Sequence, residues 1–399
     1  MLDKMASWKG KMSTLDYTND FADIRDQVAK ICEGFPGSYW QSLDDNAEYP
    51  HSFVDALTES GYLAALIPEQ YGGSGLPIRA ASVILETIHA NGCSAAACHA
   101  QMYTMGTVLR HGSDEQKQKY LPHVATGELR LQAFGVTEPT TGSDTTQLKT
   151  RAVKQGDQYV VNGQKIWTSR ALQSDLMLLL ARTTPVEEVS KRTEGLSTFL
   201  VDLREVKGNG CEIKPIDTMI NHNTNEVFFD DMVIPADSLV GEEGSGFKNI
   251  LSGMNAERIL IASEALGDGR YFLDKGVAYA NDREVFGQPI GKNQGIAFPL
   301  ADAWAHLEAA ELMVRKAAAL YDSGQDCGKE ANTAKYLASE AAWKAADETF
   351  QTYGGFAFAK EYQIERKWRE VRLWRTAPIS NNMVLNFLSQ NVLGLPRSY

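Results

Sequence analysis

Four short segments carry residue types suited to holding a flat, phosphate-bearing group. Phe134-Gly135-Val136-Thr137-Glu138-Pro139-Thr140-Thr141-Gly142-Ser143-Asp144 is an extended run that becomes a loop of small residues. Backbone N–H groups and hydroxyls on such a loop reach polar ring edges or phosphates, although a plain surface turn has the same composition. Lys165-Ile166-Trp167-Thr168-Ser169 offers an indole to cover a ring and a hydroxyl to donate to it; a core tryptophan on a strand reads the same way. In Arg283-Glu284-Val285-Phe286-Gly287-Gln288-Pro289-Ile290-Gly291, with Asn293-Gln294 after it, Arg and Phe stand at i and i+3. A guanidinium there suits a pyrophosphate and a phenyl ring backs an adenine, or the segment is a helix end with an exposed Arg. Gln351-Thr352-Tyr353-Gly354-Gly355-Phe356 ends a helix and permits close approach to its backbone.

Other familiar patterns fail. Gly287 and Gly291 are too close for a phosphate-binding P-loop, and Asn293 stands where Ser or Thr would hold magnesium. No G-x-G-x-x-G follows a strand and there is no G-x-S-x-G elbow. The histidines show no metal-ligand spacing and read as structural, and no metal is expected. Cys32, Cys93, Cys98, Cys211 and Cys327 form no C-x-x-C pair and suit a reducing compartment.

The elements that must position these segments follow from periodicity. Helical spacing over Phe21–Ile31 and Phe53–Ser60, an apolar, Ala-rich stretch from Ile78 to Leu109, and a helix start at Ser113 make the first 130 residues helical. From Leu131 the pattern is β. Tyr159-Val160-Val161, Asn162-Gly163 and Gln164–Trp167 predict a hairpin with its turn at Asn-Gly. Asp175–Arg182 and Leu196–Leu203 read as strands, and Glu226–Phe229 with Met232–Pro235 reads as a β pair. Helical periods return at Asn249–Ala280, Ala297–Ser323, Lys329–Thr352 and Ile379–Val392, suited to a four-helix bundle.

The 399 residues thus divide into helical, β and helical units, expected at 1–130, 131–243 and 244–399. A net charge of −12 (39 basic against 51 acidic residues) argues against nucleic acid as a partner. No run is long and apolar enough to span a bilayer. The opening Met1-Leu2-Asp3-Lys4 lacks the apolar region of a signal peptide, so a cytoplasmic location is expected.

The four segments, in this order, together with Pro68-Glu69-Gln70-Tyr71-Gly72-Gly73, resemble the acyl-CoA dehydrogenase family over nearly the whole chain. The resemblance implies an N-terminal helical domain, a middle β-barrel domain and a C-terminal four-helix bundle. It implies FAD, an acyl-CoA substrate, an electron-transfer flavoprotein as acceptor and a homotetramer whose FAD site is shared between subunits. Phe134, Val136, Thr137, Gly142 and Ser143 match the flavin loop, with Ser143 also toward CoA. Trp167 and Ser169 match residues beside the isoalloxazine. Arg283, Phe286 and Gln294 match residues holding a neighbouring subunit's FAD, and Gln351, Gly354 and Gly355 match the run beside its ADP portion. Ser380 falls at a Thr that touches FAD, and Asn255 and Arg258 fall at substrate-binding positions.

The family reaction removes a Cα proton to a carboxylate while Cβ gives a hydride to the flavin. Many members carry that carboxylate in a Tyr-Glu-Gly-Thr segment after the Gly-Gly motif; here Pro378 occupies the position, and no Asp or Glu lies from Val371 to the C-terminus. A subgroup that includes isovaleryl-CoA and long-chain dehydrogenases takes the base from the Glu-Arg helix, where Glu257 stands. Glu257 is therefore the expected base, with Glu264 two turns on as a substitute. Proline has no N–H, so polarising the thioester carbonyl falls to Ala377 or Ile379, or to the flavin ribityl hydroxyl. Gln101, Met102 and Met105 are candidates to line the acyl pocket, or are core. The alternatives are the same flavin fold with other chemistry (acyl-CoA reductase, desulfinase, nitroalkane-type oxidase) or an FAD-binding protein without catalysis.

Overall fold

A computed structural model describes residues 21–397; residues 1–20, on which the reading of the N-terminus rests, and 398–399 lie outside it. Six helices come first: α1 (Ala22–Glu33), α2 (Gly37–Asn46), α3 (His51–Glu59), α4 (Ile78–Ala90), α5 (Ala96–His111) and α6 (Asp114–Thr126). The apolar stretch from Ile78 is two helices, broken after Ala90 by Asn91-Gly92 with Gly92 at φ 77°. Helix α6 starts where its sequence says. The Ser113 hydroxyl accepts the Gln116 N–H, and the Gln116 side chain returns to the Ser113 N–H.

Strands β1 (Leu131–Gly135), β2 (Arg151–Gln155), β3 (Gln158–Ser169), β4 (Leu176–Arg182), β5 (Leu196–Asp202), β6 (Cys211–Pro215), β7 (Thr224–Pro235) and β8 (Leu239–Val240) follow, with a short helix α7 (Leu203–Val206) after β5. They form one sheet in the order β6-β7-β3-β2-β4-β5-β8, with β1 pairing β4. The sheet is open and not the expected closed barrel. Its end strands β6 and β8 do not pair with each other, and β8 is only two residues long, too short to close an edge.

The expected Asn-Gly hairpin is absent. The turn between β2 and β3 is Gly156-Asp157, and Asn162-Gly163 lies inside β3. There the pairing with β7 shifts between Val161 and Gly163, a β-bulge. Gly163 has φ 146°, and a Cβ on it would lie 2.5 Å from Thr150 Oγ1, so close approach and not a turn requires the glycine. The Asn162 amide spans to the opposite strand, donating to Asp231 Oδ1 and accepting the Asp231 N–H, both at 2.9 Å. Glu226–Pro235 is accordingly one long bent strand and not a β pair.

The C-terminal part contains α8 (Gly246–Asp282), α9 (Gln294–Asp322), α10 (Gly328–Tyr353), α11 (Ile364–Val371) and α12 (Asn381–Asn391), with the small ribbon β9 (Glu284–Val285) and β10 (Gln288–Pro289) between α8 and α9. Helices α8, α9 and α10 pack together, α12 packs on α10, and α4 joins α8 from the N-terminal part. Helix α10 permits close packing because its buried face is alanine: Ala331, Ala334, Ala338, Ala341, Ala342, Ala345 and Ala346. It ends at Gly354, φ 58°, as the paired glycines predict. Among the described residues no helix is long and apolar enough to cross a membrane.

Candidate active site

The loop after β1 and the end of β3 are built as one unit. Glu138 and Thr141 exchange backbone hydrogen bonds at 3.1 and 3.0 Å, closing the Pro139-Thr140 turn. The Ile166 N–H donates to the Thr137 carbonyl at 2.9 Å, tying the loop to β3 beside Trp167. Beneath them lies a buried pair that the sequence reading assigned no role. Lys165 Nζ donates to Val136 O at 3.0 Å and to Glu138 Oε1 at 2.9 Å, while the Glu138 carboxylate accepts the N–H groups of Lys149 and Thr150. Burial pulls the Lys165 ammonium down to about 8 against the pull of Glu138. Burial would raise the Glu138 carboxyl, but Lys165 and these donors hold it below its ordinary value. The signal was present in the sequence: Lys165 is a charged residue at an inward-facing strand position.

Trp167 is placed in the open by a second bulge. Pairing with β7 steps from Lys165–Val227 to Thr168–Asn225, so β3 carries one extra residue. Regular alternation would bury Trp167 on the same side as Lys165. Instead its backbone is left-handed, φ 60°, and the side chain is 57% exposed. A large aromatic residue held at positive φ and turned out of the core is strained, a feature that clusters at functional sites. This excludes the core-tryptophan reading. Gly142 and Ser143 are exposed on the adjacent loop, with nothing within 4 Å of a Cβ on Gly142. Phe134, Val136, Thr137 and Ser169 are half-buried, and the Ser169 hydroxyl lies 3.3 Å from that of Thr224. An exposed indole, a neighbouring hydroxyl and an open small-residue loop fit a flat ring with polar edges.

The other matched residues fall on the C-terminal helices and the turns that join them. The Arg283 guanidinium lies 5.6 Å from the centroid of the Phe356 ring, bringing it beside the exposed Gly354-Gly355 turn and Gln351. Phe286, φ 54°, is fully exposed, and Gln294 is exposed at the start of α9. Ser380 caps α12, its hydroxyl accepting the Met383 N–H at 3.3 Å. On α8, Arg258 donates to Asn255 Oδ1 at 3.2 Å, and its buried Nε has no partner.

Glu257, on the same helix, is 8% exposed. Burial pushes its carboxyl above the usual range, with His99 and Arg258 opposing. Glu264 is different: fully buried, it lies 2.9 Å from His99 Nδ1 and 3.5 Å from His89 Nε2. Burial would raise it too, but these histidines outweigh burial and hold it well below the ordinary value. A carboxylate flanked by two imidazoles and held below its ordinary value is a weaker base than Glu257. His89 Nδ1 lies 3.0 Å from Asp268, which also accepts the Trp374 indole N–H at 2.7 Å. His89, Asp268 and Glu370 have metal-ligand spacing, but the Lys367 ammonium sits among them, 2.5 Å from Asp268 and 2.8 Å from Glu370. The purely structural reading of the histidines holds for His89; the buried Nε2 atoms of His99 and His222 have no partner. All five cysteines are free and buried. Gln101 donates to Leu63 O, and Met102 and Met105 lie in the hydrophobic cores.

The acyl-CoA dehydrogenase N-terminal, middle and C-terminal domains match residues 18–128, 133–232 and 244–393. The acyl-CoA dehydrogenase FadE12 of Mycobacterium tuberculosis is 36% identical over 381 residues, 94% of this chain and 96% of that protein. The chain belongs to the acyl-CoA dehydrogenase family. It is an oxidoreductase of that family, acting on CH–CH groups. The 3-(aryl)acrylate reductase of Clostridium sporogenes is 36% identical over 362 residues, 88% of this chain and 94% of that one. Among solved structures, a chain in the electron transferring flavoprotein structure of Acidaminococcus fermentans superimposes with a TM-score of 0.88 at 30% identity, covering 96% of this chain and 100% of that one. The FAD complex of PigA superimposes at 0.87 with 25% identity, covering 96% and 100%.

Proposed function

We propose that this acyl-CoA dehydrogenase family member carries out FAD-dependent α,β-dehydrogenation of an acyl-CoA thioester to the 2-enoyl-CoA, with Glu257 as the base, and passes the electrons to an electron-transfer flavoprotein. The observation that carries the reading is Glu257 itself: a buried carboxyl with a raised pKa, in a chain with no Asp or Glu beyond Glu370. It supports grouping the chain with the members whose base lies on the Glu-Arg helix. The FAD complex of the PigA neighbour and the electron transferring flavoprotein neighbour support the cofactor and the acceptor.

FAD, when bound, accepts the Cβ hydride. Trp167, Phe134, Val136, Thr137, Gly142, Ser143 and Ser169 hold its ring system. Gln351, Gly354, Gly355 and Ser380 take its distal part, and Arg283, Phe286 and Gln294 that of a neighbouring subunit, in a homotetramer divided within each chain at residues 130 and 243. Ser143, Asn255 and Arg258 bind the CoA thioester. Glu257 removes the Cα proton, and its raised pKa brings the base nearer to working pH and strengthens it. The thioester oxygen needs a donor for its developing charge. Pro378 has none, and the Ala377 N–H is already given to Leu373 O at 2.9 Å. The Ile379 N–H, which has no acceptor among the described residues, takes that role.

Anaerobic mixing of holoenzyme with a panel of acyl-CoAs tests the reading: the flavin bleaches and a 2-enoyl-CoA forms. A second reading, reduction of an enoyl-CoA, is favoured by the identity to the arylacrylate reductase. It predicts that pre-reduced holoenzyme is reoxidised faster by an enoyl-CoA than by electron-transfer flavoprotein.

A further inference from the structure

On α5, Met102 and Thr104 are buried, and Tyr103 between them is half-buried. Its ring meets Phe134 edge-on at 5.6 Å (64°) on one side and His99 edge-on at 5.3 Å (70°) on the other. Phe134 lies near the end of β1, which leads into the loop beside Trp167, and α5 packs on α8, which carries Glu257. Burial, and after it the charge of Glu257, pushes the Tyr103 phenol up, so it stays neutral beside the base. The ladder Phe134–Tyr103–His99 therefore runs along the side of Glu257. It ends at His99, which with His89 flanks the buried carboxylate of Glu264.

We propose that Tyr103 is a specificity-determining residue and that this site takes a compact, ring-bearing acyl group, alicyclic or aryl, in preference to a long straight chain. The proposal rests on Glu257 marking the reacting end. Aromatic rings pair favourably edge-to-face with a ring at this spacing. A straight alkyl tail has no ring to pair with Tyr103. Met102 and Met105 of the same helix lie in the hydrophobic cores.

The test is calorimetric binding to Glu257→Gln holoenzyme, which avoids turnover, with butyryl-, octanoyl-, cyclohexanecarbonyl- and 3-phenylpropanoyl-CoA. The two ring-bearing ligands are expected to bind about tenfold tighter than octanoyl-CoA. Tyr103→Leu removes that advantage and leaves butyryl-CoA within about twofold, whereas Tyr103→Phe keeps the advantage. Equal or tighter binding of octanoyl-CoA overturns the proposal, and so does an equal loss for butyryl and ring-bearing ligands in Tyr103→Leu. Flavin bleaching in the wild-type enzyme is scored separately. If no acyl-CoA bleaches the flavin, the dehydrogenase reading fails, and the affinity ranking still decides the role of Tyr103.

Discussion

Glu257 and Glu264 are two turns apart on one helix, yet their surroundings drive their carboxyls in opposite directions. Burial pushes Glu257 up, whereas His99 and His89 hold Glu264 down. The consequence for catalysis has a definite sign. Flavin reduction should rise with pH as Glu257 loses its proton, with the midpoint above the ordinary carboxylate range; stopped-flow rates across pH read it directly. The consequence for stability is separate. A raised carboxyl favours folding below its unfolded pKa and loses that contribution as pH rises through the folded value. Glu257→Gln should therefore leave the protein equally or more stable at pH 7 by denaturant unfolding. From sequence, Glu257 was legible mainly by elimination, since the C-terminal segment holds no acid. Tyr103 was not legible, because its neighbours in sequence are core residues and only the helix orientation separates it from them.

At the scale of elements, the loop proposed to hold the flavin is tied down by the Lys165–Glu138 pair under the second bulge of β3. Lys165→Met strands a buried carboxylate and should cost about 3–5 kcal/mol in denaturant unfolding, with weaker FAD retention measured by equilibrium dialysis. The buried charge shared by α4, α5, α8 and α11 has the opposite pH sense. Burial would raise the Glu370 carboxyl, but Lys367, His89 and Arg366 hold it at about 2, and Glu264 is depressed too. Both contribute stability above their unfolded pKa that is lost as pH falls through their folded values. Tm should fall steeply below the ordinary carboxylate range, and Glu264→Gln should flatten that slope. The helices were readable because long amphipathic periods and caps such as Ser113–Gln116 are local signals. The Asn162-Gly163 turn was misread because a bulge glycine and a turn glycine look alike without the partner strand, and here Thr150 is what excludes a side chain.

For the whole molecule, the helical–β–helical order followed from the change of hydrophobic period near Leu131 and again near Gly246. Whether the sheet closed did not, because closure depends on edge lengths that a sequence does not mark. The surface carries apolar residues that a lone chain leaves uncovered: Phe286, and Phe298, Trp304 and Leu312 along α9. In the proposed tetramer they are interface. Phe298→Asp with Leu312→Asp should lower the mass seen by light scattering and reduce FAD content with it, because Arg283 and Phe286 then have no neighbour to serve. The intact FAD-loaded assembly is the form in which the central claim is tested most directly. Wild-type and Glu257→Gln holoenzyme are mixed anaerobically with the same acyl-CoA while the flavin absorbance is followed. The account predicts bleaching in the wild type and a loss of about 100-fold or more in the variant, with FAD still bound. Bleaching at an unchanged rate in Glu257→Gln would contradict it.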